Sequence, residues 1–225
     1  MVSQSIAFRQ MSVLLAFLLP AFVQGQSYIY RIEAITETGD FIFQDLDCGP
    51  TCDAIEAVTE GYDGYDFSHV GLVNKTDSGV FVGEAISAGV VWTPLERFIE
   101  RSIYDEGTPQ VLIMRLREEE QALIPSAIQY IDERIGMPYD DIYTYGDDRY
   151  YCSELLYDAW QDQKERLFSL TPMTFKKPGS DQFADVWVDY FEELEQVIPE
   201  GEPGINPGSM SRSEALVAIF VAGLE

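Results

Sequence analysis

The stretch YYCSELLYDAW, residues 150–160, places Cys152 at the start of a predicted amphipathic helix. The apolar side of that helix is formed by Leu155, Leu156, Ala159 and Trp160. The unpaired N–H groups at a helix N-terminus favour negative charge, and a cysteine must be a thiolate to act as a nucleophile. A lone buried cysteine is also commonly an inert packing residue, so the helix alone leaves both interpretations open.

The chain has a single histidine, so any histidine chemistry must involve His69. His69 lies in FSHVGLV, residues 67–73, and a short turn leads to VFVGEAI, residues 80–86, where Glu84 is the only charged residue. These two runs predict an antiparallel hairpin whose faces bearing His69 and Glu84 could coincide. A carboxylate bonded to one ring nitrogen would orient the imidazole as a base for a cysteine. Spacing alone does not fix that pairing, and a lone strand histidine is more often a satisfied core residue.

Helices and strands are mixed without a regular βαβ alternation, which predicts an α+β fold with a mainly antiparallel sheet. A turn followed by a short strand is predicted within residues 38–44, and further strands are predicted at residues 110–116 and 214–223. Further helices are predicted at residues 52–61, 93–102, 118–136 and 180–196. In the second of these helices, Thr93 is the expected N-cap and Pro94 the first helical residue. Residues 198–213 are rich in glycine and proline and are expected to be extended.

Charge limits the partners that the chain can have. The formal net charge is −25, and only 14 residues are Lys or Arg. Phosphate neutralisation needs clustered basic side chains, so nucleic acid is not expected as a partner. The excess of carboxylates favours an acidic, hydrated surface and, more weakly, cationic ligands. Four of these acids precede the cysteine helix and could hold a substrate amine, or could simply cap turns in a hydrated loop: Asp140, Asp141, Asp147 and Asp148.

The first 25 residues have the pattern of a secretory signal peptide: Arg9, a 13-residue apolar run and a small-residue exit near Gly25. The apolar run is too short for a transmembrane helix, which needs about 20 residues. We therefore expect a secreted or periplasmic protein with one domain over residues 26–225 and no membrane span after cleavage.

Three cysteines in an exported chain leave one unpaired. Cys48 and Cys52, in DCGPTC, are close enough to form a disulfide across a Gly-Pro turn in an oxidising compartment. Cys152 is then the free thiol. An alternative is a zinc site that uses all three cysteines and His69.

The order of several motifs resembles the YiiX-like permuted papain-like cysteine hydrolases, which are relatives of the NlpC-type cell-wall peptidases. The motifs are TGDFIFQ, FSHVGLV, GEAI, MPYD and DDRYYCSELLYDAW, and the similarity runs over roughly residues 39–160. Weaker similarity is present in MTFKKPGS and PGINPG. In this family the histidine strands precede the cysteine helix. DCGPTC is not part of the family pattern.

The resemblance implies a circularly permuted, NlpC-type papain-like core with the cysteine helix packed on the sheet. It implies Cys152 as nucleophile, His69 as base, Glu84 as the residue that orients it, and Tyr151 beside the oxyanion site or substrate cleft. The expected substrate is a peptide, a peptidoglycan stem or a small acyl compound, with no cofactor and no metal. The alternatives are an inactive binding module of the same fold and an acyltransferase or thioesterase, since the lecithin retinol acyltransferases share the permuted order.

Overall fold

In the computed structural model, residues 24–104, 107–160 and 167–224 are described. Eight strands are present in this part of the chain: β1 (Phe41–Gln44), β2 (His69–Thr76), β3 (Gly79–Ile86), β4 (Gly89–Pro94), β5 (Val111–Leu116), β6 (Thr171–Pro172), β7 (Pro203–Gly204) and β8 (Leu216–Ala222). Six of them form one sheet in the order β4-β3-β2-β1-β5-β8, and every neighbouring pair is antiparallel. The predicted α+β class with a mainly antiparallel sheet is therefore confirmed.

Seven α-helices accompany the strands in the described residues: α1 (24–35), α2 (Pro50–Glu56), α3 (Leu95–Glu100), α4 (Ile124–Asp132), α5 (Cys152–Ala159), α6 (Asp185–Glu193) and α7 (Pro207–Ser211). Short 3-10 helices lie at Tyr62–Gly64 and Glu118–Leu123. No helix among the described residues is long and apolar enough to cross a membrane.

Strand alternation divides the apolar residues between the two faces of the sheet. On β1, Phe41 and Phe43 belong to the core that contains α4 and α5, whereas Ile42 belongs to the core that contains α1 and α3. The cysteine helix α5 is held on the sheet by Leu155 and Leu156, which are fully buried. Each buried leucine contributes about 1.5–3 kcal/mol of transfer free energy, so the start of α5 is firmly placed against the strands.

A third apolar cluster lies apart from the sheet and is called the cap cluster here. Its buried members are Phe175, Trp187 and Phe191. Ala54 and Ile55 of α2 pack against them. The two-stranded ribbon of β6 and β7 contributes further cover, because Met173 packs closely on Gly204. Segments from before the histidine strand and from after the cysteine helix therefore meet in one cap.

Strand β8 is at one end of the sheet, so among the described residues it has a strand partner on one side only. Val217, Ile219 and Val221 are each about 40% exposed on this edge, at 41%, 40% and 39%.

Three sequence-based expectations are wrong. The chain from Gly89 to Pro94 is strand β4, so α3 starts at Leu95 and Thr93 does not cap it. Residues 198–213 are not simply extended, because they contain β7 and the short helix α7. The zinc alternative is contradicted by a disulfide between Cys48 and Cys52, whose Cα atoms are 5.4 Å apart.

Residues 1–23 of the predicted signal peptide lie outside the described residues, and the expected cleavage point at Gly25 falls in α1. Ile29 and Ile32 of α1 are buried in the core that contains α1 and α3. The part of α1 that follows the expected cleavage point is thus packed in the domain.

Candidate active site

Cys152 is the first residue of α5 and only 7% of its surface is exposed. Tyr151 before it has an extended backbone, so the helix begins sharply at the cysteine. The Glu154 carboxylate accepts a hydrogen bond from the Gly146 N–H at 3.0 Å and approaches the Tyr151 N–H at 3.5 Å. These contacts tie the preceding loop to the first turn of α5. The thiol therefore lies at a helix N-terminus, where the backbone favours negative charge.

His69 begins β2, and Glu84 lies on the neighbouring strand β3. Val73 and Val82 are directly paired, so residues at even spacing from them, His69 and Glu84, point to the same face. The Nε2 atom of His69 is 2.6 Å from the Oε2 atom of Glu84. The thiol of Cys152 also interacts with the His69 ring.

The Glu84 carboxylate is fully buried and has two more partners. Arg101, just after α3, places Nη2 2.6 Å from Oε2, the same oxygen that His69 contacts. Thr93 on β4 donates from its hydroxyl to Oε1 at 2.5 Å. Three groups therefore hold this carboxylate in one orientation, which satisfies the demand of a buried charge for hydrogen-bonded partners.

Burial alone would lower the pKa of His69, but the hydrogen bonds with Cys152 and Glu84 outweigh it and raise the pKa to about 9. Burial alone would raise the pKa of Glu84, but His69 and Arg101 lower it to about 2. At neutral pH the carboxylate is ionised, and the imidazole is stabilised as a cation.

A cavity of about 260 Å³ opens on Cys152 and His69. Most of its lining is apolar or aromatic and comes from α2, the loop before α5 and the cap, for example Ile55, Tyr143 and Trp187. His69 is the only ionisable side chain of the Asp, Glu, Lys, Arg and His types among the described residues that line it. The cavity therefore suits an uncharged, apolar group placed next to the thiol.

Two tyrosines of the loop before α5 lie near Cys152. The hydroxyls of Tyr139 and Tyr143 interact with each other, and both side chains are within electrostatic range of the Cys152 sulfur. Burial raises the pKa of both phenols, so they are neutral donors at ordinary pH. Tyr143 has a left-handed backbone, with φ of 54°, a conformation that non-glycine residues seldom adopt without local compensation.

Tyr151 also lines the cavity, but its hydroxyl accepts a hydrogen bond from the Ile205 N–H at 3.2 Å. The neighbouring Ser153 hydroxyl donates to the Ile205 carbonyl at 2.8 Å. Together these two side chains fix the segment around Ile205 over the start of α5. Tyr151 thus shapes the cleft wall, and its hydroxyl oxygen is an acceptor for the Ile205 backbone.

The four aspartates of the loop before α5 do not line the cavity. The Asp140 carboxylate is buried and accepts from the backbone N–H groups of Ile142 and Thr144 at 3.0 and 2.6 Å. The Asp147 carboxylate is 2.6 Å from Nη2 of Arg149. These contacts stabilise the loop itself, as turn-capping aspartates do.

The Cys48–Cys52 disulfide joins the chain before α2 to α2 itself, whose Ala54 and Ile55 line the cavity. This cross-link therefore stiffens one wall of the cleft. Within the described part of the chain, no group of three or more His, Cys, Asp and Glu side chains is arranged to hold a metal ion.

Comparison with known proteins identifies the family. Residues 35–220 match the family described as "Permuted papain-like amidase enzyme, YaeF/YiiX, C92 family". The chain belongs to this family. The predicted membership and the papain-like character of the fold are thereby confirmed.

Two relatives of this permuted amidase family illustrate the range of similarity. The uncharacterised protein YiiX of Escherichia coli K12 is 30% identical over 131 residues, which cover 56% of this chain and 58% of YiiX. The matching region thus spans less than two thirds of that relative. The crystal structure of YiiX from Escherichia coli O157:H7, described as a metalloprotein, has a TM-score of 0.63 and 26% identity. The structural match covers 82% of this chain and 97% of the YiiX chain.

The sequence patterns of this family member do not reveal three residues of the site. A Thr-Pro pair is typical of helix starts, so Thr93 is predicted as a cap instead of a partner of Glu84. Arg101 is brought to Glu84 by the crossing of β4 and α3, which local patterns do not reveal. Tyr139 lies in MPYD, a motif that is visible in the sequence but does not by itself indicate a role for this tyrosine.

Proposed function

We propose that this chain is a cysteine hydrolase of the amidase or peptidase type, with Cys152 as nucleophile, His69 as general base and acid, and Glu84 as the residue that orients His69. One observation carries the proposal: the single histidine lies 2.6 Å from Glu84 through Nε2, interacts with the Cys152 thiol, and lines the same cavity as that thiol. A nucleophile, a base and an orienting carboxylate in hydrogen-bond contact are the recurring arrangement of covalent acyl transfer.

The reaction has two steps. The Cys152 thiolate attacks the acyl carbon, the bond to the leaving nitrogen or oxygen breaks, and the imidazolium of His69 gives its proton to the leaving group. A thioester on Cys152 remains. His69 then takes a proton from water, the water oxygen attacks the thioester carbon, and the bond to sulfur breaks. The carboxylic acid leaves, and the Cys152 thiolate and the His69 imidazolium are restored.

The oxyanion of each step needs hydrogen-bond donors close to Cys152. The backbone N–H groups at the start of α5 have no acceptor within the helix, so they are the first candidates. The neutral Tyr139 hydroxyl is a second candidate donor, because it lies near the Cys152 sulfur and belongs to the cavity lining.

YiiX from Escherichia coli O157:H7 is described as a metalloprotein, but neither step proposed for this chain uses a metal. Among the described residues the donor set does not suit one, because the ring of His69 already interacts with Glu84 and Cys152 and two of the three sulfurs form a disulfide.

The cavity supports an uncharged acyl group or an apolar side chain as the part of the substrate that binds beside Cys152. Its lining offers no carboxylate among the described residues to receive a cationic amine. The carboxylates of Asp140 and Asp147, which were candidates for that purpose, are bonded within their own loop. A peptidoglycan stem would therefore have to place its amine outside the cavity.

Turnover of model substrates tests the proposal. Purified protein is incubated with p-nitroanilides and p-nitrophenyl esters that carry neutral, acidic or cationic acyl groups, and acylated Cys152 is sought by peptide mass spectrometry. Cys152→Ala and His69→Gln should abolish hydrolysis, and neutral apolar acyl groups should be preferred. Turnover that survives Cys152→Ala, or ligand binding with no acylation of Cys152 for any substrate, would overturn the assignment and favour a binding module.

Acyl transfer is distinguished from hydrolysis in the same assay. Added primary alcohols and amines compete with water for the thioester, so a transferase gives mainly new esters or amides while a hydrolase gives mainly the free acid. We expect the free acid, because Cys152 and His69 lie in a cavity large enough for a water molecule beside the acyl group.

We further propose that the chain acts outside the cytoplasm. The signal-like pattern of residues 1–25 supports export, and so does the Cys48–Cys52 disulfide, since such bonds persist mainly in oxidising compartments. Cell fractionation with mass spectrometry of the N-terminus is the test. Recovery of the full-length chain from the cytoplasm with reduced Cys48 and Cys52 would contradict it.

A further inference from the structure

Arg101 extends the catalytic hydrogen-bond chain beyond its usual third member. Its Nη2 atom and the Nε2 atom of His69 are each 2.6 Å from the same oxygen of Glu84. The Glu84 side chain is fully buried, whereas the Arg101 side chain is 33% exposed. Four side chains therefore follow one another from the cavity towards solvent: Cys152, His69, Glu84 and Arg101. In the protonation state that the proposed function requires, their charges alternate in sign.

We infer that Arg101 is a positioning residue whose positive charge allows the Cys152 thiolate and the His69 imidazolium to exist together beside a buried carboxylate. The effect of Arg101 on catalysis rests on the proposed function. Its effect on the protonation of Cys152 and His69 does not depend on that function.

Charge balance is the reason. With Arg101 present, thiolate, imidazolium, carboxylate and guanidinium sum to zero. Without Arg101, the same protonation state would leave one uncompensated negative charge in a buried cluster, which is costly. The cluster would then keep an additional proton to a higher pH, and that proton would remain on the sulfur or on the imidazole. The reactive thiolate form would therefore appear only at higher pH.

Contacts around Arg101 fix its guanidinium at this place. Its central carbon lies 4.9 Å from the centre of the Phe98 ring, and the Gln44 side-chain oxygen is 3.5 Å from Nη2. The ring of Phe98 also lies 5.7 Å from the ring of His69, so the same aromatic side chain contacts both cationic groups.

No other charged side chain is positioned to replace Arg101 in the described part of the chain. The ionisable groups with the largest influence on Glu84 are His69 and Arg101, and those with the largest influence on His69 are Cys152 and Glu84. Beside Cys152 the further ionisable groups are buried tyrosines, which are neutral at ordinary pH: Tyr139, Tyr143 and Tyr151.

The single histidine makes the test direct, because its ring signals in a ¹³C- or ¹⁵N-edited NMR spectrum need no assignment. We would titrate His69 in the wild-type protein, in Arg101→Met and in Arg101→Lys. The control is Arg97→Met, which removes the same charge from the neighbouring helix α3, where the Arg97 side chain is 75% exposed and pairs with Glu100. The rate of Cys152 alkylation by iodoacetamide against pH is measured on the same samples, and circular dichroism establishes that each is folded.

In Arg101→Met we expect the pKa of His69 and the midpoint of the alkylation curve both to rise by about one pH unit, the usual effect of one neighbouring charge. Arg101→Lys should restore most of the wild-type behaviour, and Arg97→Met should not differ from wild type. An unchanged His69 titration in folded Arg101→Met, or a shift in Arg101→Lys as large as in Arg101→Met, would overturn the inference. If Arg101→Met does not fold, Arg101→Gln is used and the same two results decide.

The two proposals can fail separately. A protein that hydrolyses no substrate but shows these shifts would retain the role of Arg101 and lose the proposed function. If hydrolysis depends on Cys152 and His69 but the titration of His69 is the same with and without Arg101, the proposed function is retained and the role of Arg101 is lost.

Discussion

Replacing Glu84 by glutamine removes the negative charge at the centre of the site while keeping the shape of the side chain. The Glu84 side chain is fully buried and receives His69 and Arg101 on one oxygen and Thr93 on the other. A glutamine can keep its carbonyl oxygen towards the two cations and turn its amide to Thr93, whose hydroxyl can accept as well as donate. The substitution therefore isolates the charge.

The size of the effect follows from the pKa of Glu84, which falls from 4.5 to about 2 in the folded protein. At 1.36 kcal/mol per pH unit, the ionised form gains about 3 kcal/mol on folding. Because the folded pKa is the lower one, this stability is fully present above pH 4.5 and is lost as the pH falls towards 2. Glu84→Gln should therefore lower the free energy of unfolding by about 3 kcal/mol at pH 7 and by only about 1 kcal/mol at pH 3.

Urea unfolding followed by tryptophan fluorescence at both pH values measures this difference. Glu118→Gln, on an exposed position, is the matched control for the loss of one negative charge. If Glu84→Gln lowers the free energy of unfolding equally at pH 7 and at pH 3, the reasoning is refuted. Such a result would mean that the shape of the Glu84 side chain, and not its charge, stabilises the fold. The raised pKa of His69 reports the same interaction from the other side, so the two contributions must not be added.

Three further changes test the surroundings of the site. Replacing both cysteines of the Cys48–Cys52 disulfide by serine should cost roughly 2 kcal/mol in thermal unfolding, and should raise KM more than it lowers kcat, because α2 forms a cavity wall; an unchanged KM would contradict this. Burial and nearby carboxylates raise the pKa of Glu56 to about 7, so the folded state loses stability between pH 4.5 and 7, and Glu56→Gln should add about 1 kcal/mol at pH 8 after allowance for its exposure. A gain just as large at pH 5 would contradict the argument. A Cβ at Gly89, where φ is 96°, would collide with the Met137 carbonyl oxygen, so Gly89→Ala should destabilise by more than Gly146→Ala, which has a similar φ and open space; equal melting temperatures for the two variants would refute the collision.

Much of the fold could be predicted because its elements have strong local signals. The β2–β3 hairpin follows from alternation and a turn, and the cysteine helix from an apolar stripe that begins at Cys152. Strand β4 could not, because Thr-Pro at residues 93–94 resembles a helix start. Here tertiary pairing decides the outcome, since residues 89–94 complete the sheet edge against β3.

Some residues of the candidate site could be predicted from the sequence and others could not. His69, Glu84 and Cys152 could be proposed because each is distinctive in its local sequence, and the structure brings all three into one contact chain. The partners of Glu84 could not be predicted, because Arg101 and Thr93 reach it only when β4 and α3 fold back along β3. The apolar character of the cavity was also hidden, because its walls come from segments more than 100 residues apart in the chain, such as those around Ile55 and Trp187.

The exposed edge of the sheet makes colloidal behaviour depend on pH. Val217, Ile219 and Val221 lie on an edge strand that contains no charged residue, so no side chain within the strand repels a second strand. The mutual repulsion of copies that carry a net charge of −25 must supply that protection instead. It vanishes near the isoelectric point of about 4.1, so in mildly acidic solution the concentration at which this protein remains dispersed should fall well before the domain unfolds.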